Sequence, residues 1–149
     1  MWLACAAMAS RDAHLEKLAD VPLFSACSRK DLQRIAKASD EVEVKAGRVL
    51  VDQGKTGHEF FLILEGQASV RANNRKVASL GPGNYFGELA LLSREPRDAS
   101  VIADSDMKLL ILGQREFTGL LDSIPGLASK ILATMAKRLR EADLKSHRV

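Results

Sequence analysis

The sequence predicts a mainly β chain with flanking α. N-terminal helices over 10–39 lead into an antiparallel β-roll over 40–112, and C-terminal helices follow over 113–145, all in one domain of 1–149. Three observations predict this. The apolar period is helical up to about Ser39, and from Glu41 it breaks into short runs rich in Val, Ile and Leu, separated by Gly, Pro, Asn and Asp. It becomes helical again at Gln114. The length, 149 residues, is about one domain's worth, with neither a tandem repeat nor a low-complexity linker.

Taken in order, Ser10 is placed to cap a short helix, DAHLEKLAD, that stops before Val21-Pro22. Ser28-Arg29-Lys30-Asp31 reads as a capping box, with Leu32, Ile35 and Ala36 on one face of a helix ending near Ser39. VEVKAGRVLVDQG, EFFLILEG, QASVRA, RKVASLG and SVIADSDMKLLILG then read as strands, at a spacing that suggests a sandwich or barrel. Asn73-Asn74 suits a two-residue hairpin turn, because Asn tolerates positive φ. REFTGLLDSI is a short amphipathic helix, and Pro125 fits the first turn of a longer one. Leu127, Ile131, Met135, Leu139 and Ala142 form the apolar stripe of that helix, expected either to pair with a second copy in a parallel dimer or to dock on the roll.

Composition excludes several classes. At 46% apolar and 28% charged the chain is an ordinary globule rather than a disordered or fibrous one. The 22 basic and 19 acidic residues leave +3, too little to argue for nucleic acid. His14, His58 and His147 are scattered without metal-ligand spacing, and there is no nucleophile motif and no P-loop, so an enzyme, a metal site and a cofactor are not expected. Cys5 and Cys27 lack metal or redox spacing, which fits a reduced, cytoplasmic setting without a disulfide. No run reaches membrane-span length, and MWLACAAMA lacks the basic start of a signal peptide; Met8 is an alternative start.

The chemistry concentrates in FGELALLSREPRDAS, 86–100, a mostly apolar stretch that contains Glu88, Arg97 and Asp98. A half-buried charge requires a partner. Gly87 lets backbone approach closely, and the helix-prone Glu88-Leu89-Ala90 run after it would present unpaired amides to an anion. Arg97 adds a two-pronged contact suited to phosphate. Glu88 repels phosphate but suits a hydroxyl such as that of a ribose. A ligand carrying both groups satisfies both residues; the alternative is a Glu88–Arg97 salt bridge that serves only the fold.

This stretch resembles the phosphate-binding cassette of cyclic-nucleotide-binding domains, in which F-G-E-L-A-L-L is followed by P-R and a small residue. The resemblance covers roughly 18–143. It includes Ala46-Gly47, Gln53-Gly54, Gly57, Phe61-Leu62-Ile63-Leu64-Glu65-Gly66, Leu80 to Glu88, Arg115-Glu116-Phe117 and Met135 to Leu139. It implies an eight-stranded, jelly-roll-like antiparallel β-roll flanked by helices, with cyclic AMP or cyclic GMP as ligand. By the same resemblance Glu88 would hold the ribose 2′-hydroxyl and Arg97 the cyclic phosphate. The amides of Gly87, Glu88, Leu89, Ala90, Asp98 and Ala99 would line the cavity, with Phe86 and Ser100 beside it. Val70, Val77 and Leu80 are candidates for apolar contacts to the base.

Two positions depart from the family. Asp98 stands where Ala, Thr, Ser or Asn is usual. Two charges about 5 Å apart interact by roughly 3 kcal/mol at an effective dielectric near 20, enough to offset much of what an arginine contributes to phosphate. Asp98 therefore faces outward, or reaches a guanine amine, or has damaged the site. In the C-terminal helix, which in relatives covers the base, the corresponding positions are Ala142 and Asp143, with no aromatic after Phe117; Asp143 is either a base contact or a solvated surface residue. The helix-turn-helix that follows the long helix in catabolite-activator-type regulators is not in the sequence, so DNA binding by this chain alone is not expected. The expected role is a cyclic-nucleotide sensor, cyclic AMP preferred, that signals to a protein partner by moving its C-terminal helices. The alternatives are a ligand-independent interaction scaffold and a fragment of a transcription regulator.

Overall fold

The computed structural model describes residues 15–25, 27–55, 57–87, 97 and 99–146, the last five by backbone alone. Contacts group them into two compact units, one drawn from Met1–Gln33 and Gly119–Val149 and the other Arg34–Thr118.

The second unit carries the roll. Eight strands are present among the described residues: β1 Asp40–Val44, β2 Val49–Val51, β3 Glu59–Glu65, β4 Ala68–Ala72, β5 Arg75–Leu80, β6 Tyr85–Phe86, β7 Ser100–Ala103 and β8 Met107–Gly113. They form two four-stranded antiparallel sheets, ordered β1-β8-β3-β6 and β2-β7-β4-β5. This is the expected eight-stranded roll. Successive side chains of a strand point to opposite faces, and β3 uses both. Phe61 and Ile63 join Val44, Ala68, Phe86, Val101, Ala103, Met107 and Leu109 in the core. On the other face of β3, Phe60 stacks on Phe117 at 4.8 Å and meets Tyr85 at 5.5 Å.

Turn chemistry fixes the register. Asn73 and Asn74 adopt φ of 53° and 64°, the double positive φ of a two-residue hairpin, and Ala72 pairs with Arg75 across it. The Gly81-Pro82-Gly83 turn is closed by Asn84, whose N–H donates to the Gly81 carbonyl at 3.0 Å while its Oδ1 accepts the Gly81 N–H at 2.8 Å. The Ile63 N–H then donates to the Asn84 carbonyl at 2.9 Å, which delivers β6 to the edge of β3. Sequence periodicity does not show β6, because two residues carry no period.

In the first unit, residues 15–19 are helical and Pro22–Phe24 form a 3-10 turn with Pro22 at its start, a turn the sequence reading did not resolve. Helix α1 runs Arg29–Ala38. Its capping box is reciprocal: the Asp31 N–H donates to Ser28 Oγ and the Ser28 N–H donates to Asp31 Oδ2, both at 3.1 Å. Helix α2 spans Gln114–Ser123 and α3 Pro125–Ser146. Lys130 of α3 donates from Nζ to the Pro22 carbonyl at 3.0 Å and to the Ser25 hydroxyl. Leu127 and Ile131 are buried, but burial along the expected stripe ends there: Met135 is half-buried and Leu139 is 68% exposed. The Ala142 side chain lies outside the described residues, as do Ser10, Met8 and Cys5. No helix among the described residues is long and apolar enough to cross a membrane.

Candidate functional site

Arg97 is the organising residue. It is 8% exposed, one of two buried polar or charged residues among those described, and its guanidinium is aimed by backbone carbonyls. Nη1 donates to the Gly87 carbonyl at 3.1 Å and Nη2 to the Glu59 carbonyl at 2.9 Å. Both acceptors follow from the fold. Glu59 opens β3, and Gly87 leaves β6, which the 81–84 turn has delivered to β3. A planar guanidinium held by two acceptors keeps one orientation.

Two glycines make room for it. Gly87 has φ +95°, and a Cβ there would lie 2.7 Å from both Arg97 Nη1 and the Glu59 carbonyl oxygen. Gly57 needs no unusual dihedral, yet a Cβ would come within 2.0 Å of Arg97 Nε and Nη2. Glycine at Gly87 is thus required by the backbone and by the Glu59 carbonyl, and at Gly57 it leaves free the space that the guanidinium occupies.

The Arg97 backbone is equally fixed. Its N–H donates to the Lys55 carbonyl and its carbonyl accepts the Gly54 N–H, each at 2.8 Å. The Asp52–Lys55 turn, closed by the Lys55 N–H on the Asp52 carbonyl at 3.2 Å, therefore carries Arg97 as a rung.

The sequence-derived candidates separate on this frame. Gly87 and Arg97 meet directly, and Ala99 follows closely in the chain at half-burial. Phe86 is buried in the core, its ring stacked on Phe61 at 4.8 Å. The Ser100 hydroxyl accepts the Gln53 N–H at 2.9 Å and bonds Asp52 Oδ1 at 3.2 Å. Val70 and Leu80 pack partly buried against the core, whereas Val77 is 53% exposed. Glu88, Leu89, Ala90 and Asp98 lie outside the described residues, and so does the Asp143 side chain. Sequence reasoning gave no role to Gly57, to the Glu59 carbonyl or to the 52–55 turn. The first two act through backbone or through an absent side chain, which leaves only a glycine as a signal.

Among the described residues no group of three or more His, Cys, Asp or Glu could hold a metal ion. Cys27 is a free thiol whose pKa is pushed up by burial and by Asp31, against the pull of Lys130.

Two four-stranded sheets with a guanidinium held at the end of β6 define a β-roll domain, and the comparisons give its family. The chain belongs to the cyclic nucleotide-binding domain family, whose model matches residues 41–123. It is 38% identical over 110 residues to a cAMP-dependent protein kinase regulatory subunit of Hypocrea atroviridis, covering 74% of this chain and 24% of that protein. Among solved structures it resembles the Thermus thermophilus catabolite activator protein, with a TM-score of 0.77 and 32% identity over 83% of this chain and 61% of that one. It also resembles the regulatory domain of Toxoplasma gondii PKA crystallised with cAMP, with a TM-score of 0.74 and 30% identity over 87% of this chain and 52% of that one. The chain spans about a quarter of the length of the first curated relatives it matches.

Proposed function

We propose that residues 1–149 work as one regulatory module that binds a cyclic nucleotide, cyclic AMP in preference to cyclic GMP, and passes the binding event on through its C-terminal helices. The observation that carries this reading is the Arg97 cradle. Its guanidinium is oriented in advance by two carbonyls and fitted against Gly57 and Gly87, so little ordering remains to be done when an anion arrives. Arg97 takes the cyclic phosphate by charge-assisted hydrogen bonds, and Glu88 takes the ribose 2′-hydroxyl. The amides from Gly87 to Ala90 and those of Asp98 and Ala99 complete the cavity wall. The choice of cyclic AMP is supported by relatives named for cAMP and by the PKA regulatory domain crystallised with it.

Signalling requires the nucleotide to favour one arrangement of the cassette and the C-terminal helices over another. On α3, Leu132 and Leu139 are 63% and 68% exposed and seven residues apart, on one side of the helix. That spacing supports association of two copies through α3, with the output passing to a protein partner. Light scattering at micromolar concentration tests the pairing: a dimer supports it and a monomer removes it.

Calorimetric titration of the nucleotide-free protein with cyclic AMP and cyclic GMP tests the main reading. Wild type takes up cyclic AMP more tightly, and Arg97→Ala is weaker by about 2–5 kcal/mol. No binding of either nucleotide at high concentration would leave an interaction scaffold.

A further inference from the structure

The turn that holds Arg97 is itself braced by two side chains. On one side Ser100, the first residue of β7, accepts the Gln53 N–H and bonds Asp52 Oδ1. On the other side the Gln53 side chain grips the tip of the β4–β5 hairpin at both ends of its amide. Its Oε1 accepts the Asn73 N–H at 3.0 Å and its Nε2 donates to Asn73 Oδ1 at 3.2 Å. The chain of bonds runs from Asn73 to Gln53, from Gln53 through the Asp52–Lys55 turn, and from Gly54 and Lys55 to both backbone groups of Arg97.

We propose that Gln53 and Ser100 are positioning residues for Arg97, setting the affinity for the nucleotide without touching it. Gln53 is exposed, as are its neighbours Asp52, Gly54 and Lys55, so burial does not fix this turn. Hydrogen bonds to Ser100 at the start of β7 and to Asn73 in the β4–β5 turn do. The precision matters because the guanidinium fits a gap in which one added carbon at Gly57 would already overlap it. A turn free to shift would carry the Arg97 backbone with it and misdirect the side chain from its two carbonyls. The proposal rests on the reading that Arg97 takes the phosphate.

The test uses the full chain as wild type, Gln53→Ala, Gln53→Glu and Ser100→Ala. Hydrogen exchange is read at the Gly54 and Arg97 amides, and cyclic AMP affinity is read by titration. Gln53→Ala and Ser100→Ala should speed exchange at both amides and weaken binding roughly threefold to tenfold, the loss expected for one or two exposed hydrogen bonds. Gln53→Glu should restore both properties. Its carboxylate still accepts the Asn73 N–H, and the Asn73 amide can turn to donate to it. Wild-type exchange at Gly54 and Arg97 in Gln53→Ala, or a Gln53→Glu protein no better than Gln53→Ala, overturns the proposal. If wild type binds no nucleotide, the reading of the site fails, while exchange at the two amides still decides whether Gln53 positions Arg97.

Discussion

In the sheet β1-β8-β3-β6, the inner strands β3 and β8 bury residues on both faces, including Phe60, Phe61, Leu62, Ile63, Leu109, Leu110 and Leu112. In the sheet β2-β7-β4-β5, the edge strand β5 leaves five of its six residues exposed, and β2 has no fully buried residue. The first sheet is held by apolar contact. Around the second, polar bridges recur: Gln53 with Asn73, Ser100 with Asp52, and Ser69 Oγ with Asp104 at 2.5 Å. Hydrophobic burial gives stability without direction, whereas hydrogen bonds fix geometry with little net stability. Both sheets face the core, to which the second adds Ala68, Val101 and Ala103, but the first buries more apolar side chains. The second, with its 52–55 turn, sets where Arg97 stands.

This contrast can be broken by mutation. The largest expected effect on stability is at Phe60, packed between Tyr85 and Phe117. Phe60→Ala should cost about 3–5 kcal/mol in urea unfolding. A loss near that of an exposed substitution would remove the division between the sheets. Gly57→Ala should do the reverse. Its methyl takes space that the guanidinium occupies and pushes it off its two carbonyls, so cyclic AMP affinity should fall about tenfold or more while the unfolding midpoint changes little. Unchanged affinity would mean that the cradle tolerates a shifted arginine.

The smallest effect concerns pH. Asp106 Oδ1 accepts the Ala46 N–H at 3.0 Å, and this bond, followed by the charge of Lys45, holds its pKa below the ordinary carboxylate value. A depressed folded-state pKa contributes stability above the unfolded pKa and loses it as pH falls through the folded one. Wild type should therefore lose slightly more stability than Asp106→Asn on acidification below about pH 4. Equal losses would show that the Asp106 charge contributes nothing.

The parts of this molecule that were legible in the sequence rest on local physics. The Ser28–Asp31 capping box and the Asn73-Asn74 turn each involve residues one to three apart, so spacing alone exposes them. Arg97 was legible because a charge in an apolar stretch demands a reason. The Gln53–Asn73 grip joins residues 20 apart, and the Ser100–Gln53 bond joins residues 47 apart. No periodicity reports such pairs. Gly57 was legible only as part of a resemblance, since the reason for it is a side chain 40 positions later in the chain. The stripe on α3 was legible as a pattern, but a pattern does not say where burial ends, and here it ends after Ile131.

The most direct test of the account is to follow the Arg97 side-chain Nε–H resonance by nitrogen-15 NMR while cyclic AMP is added. The cradle predicts that this signal is sharp before ligand, shifts with the bound fraction and saturates together with the calorimetric heat. A signal that stays in place while cyclic AMP binds would put the phosphate elsewhere and contradict the assignment of Arg97 as its seat.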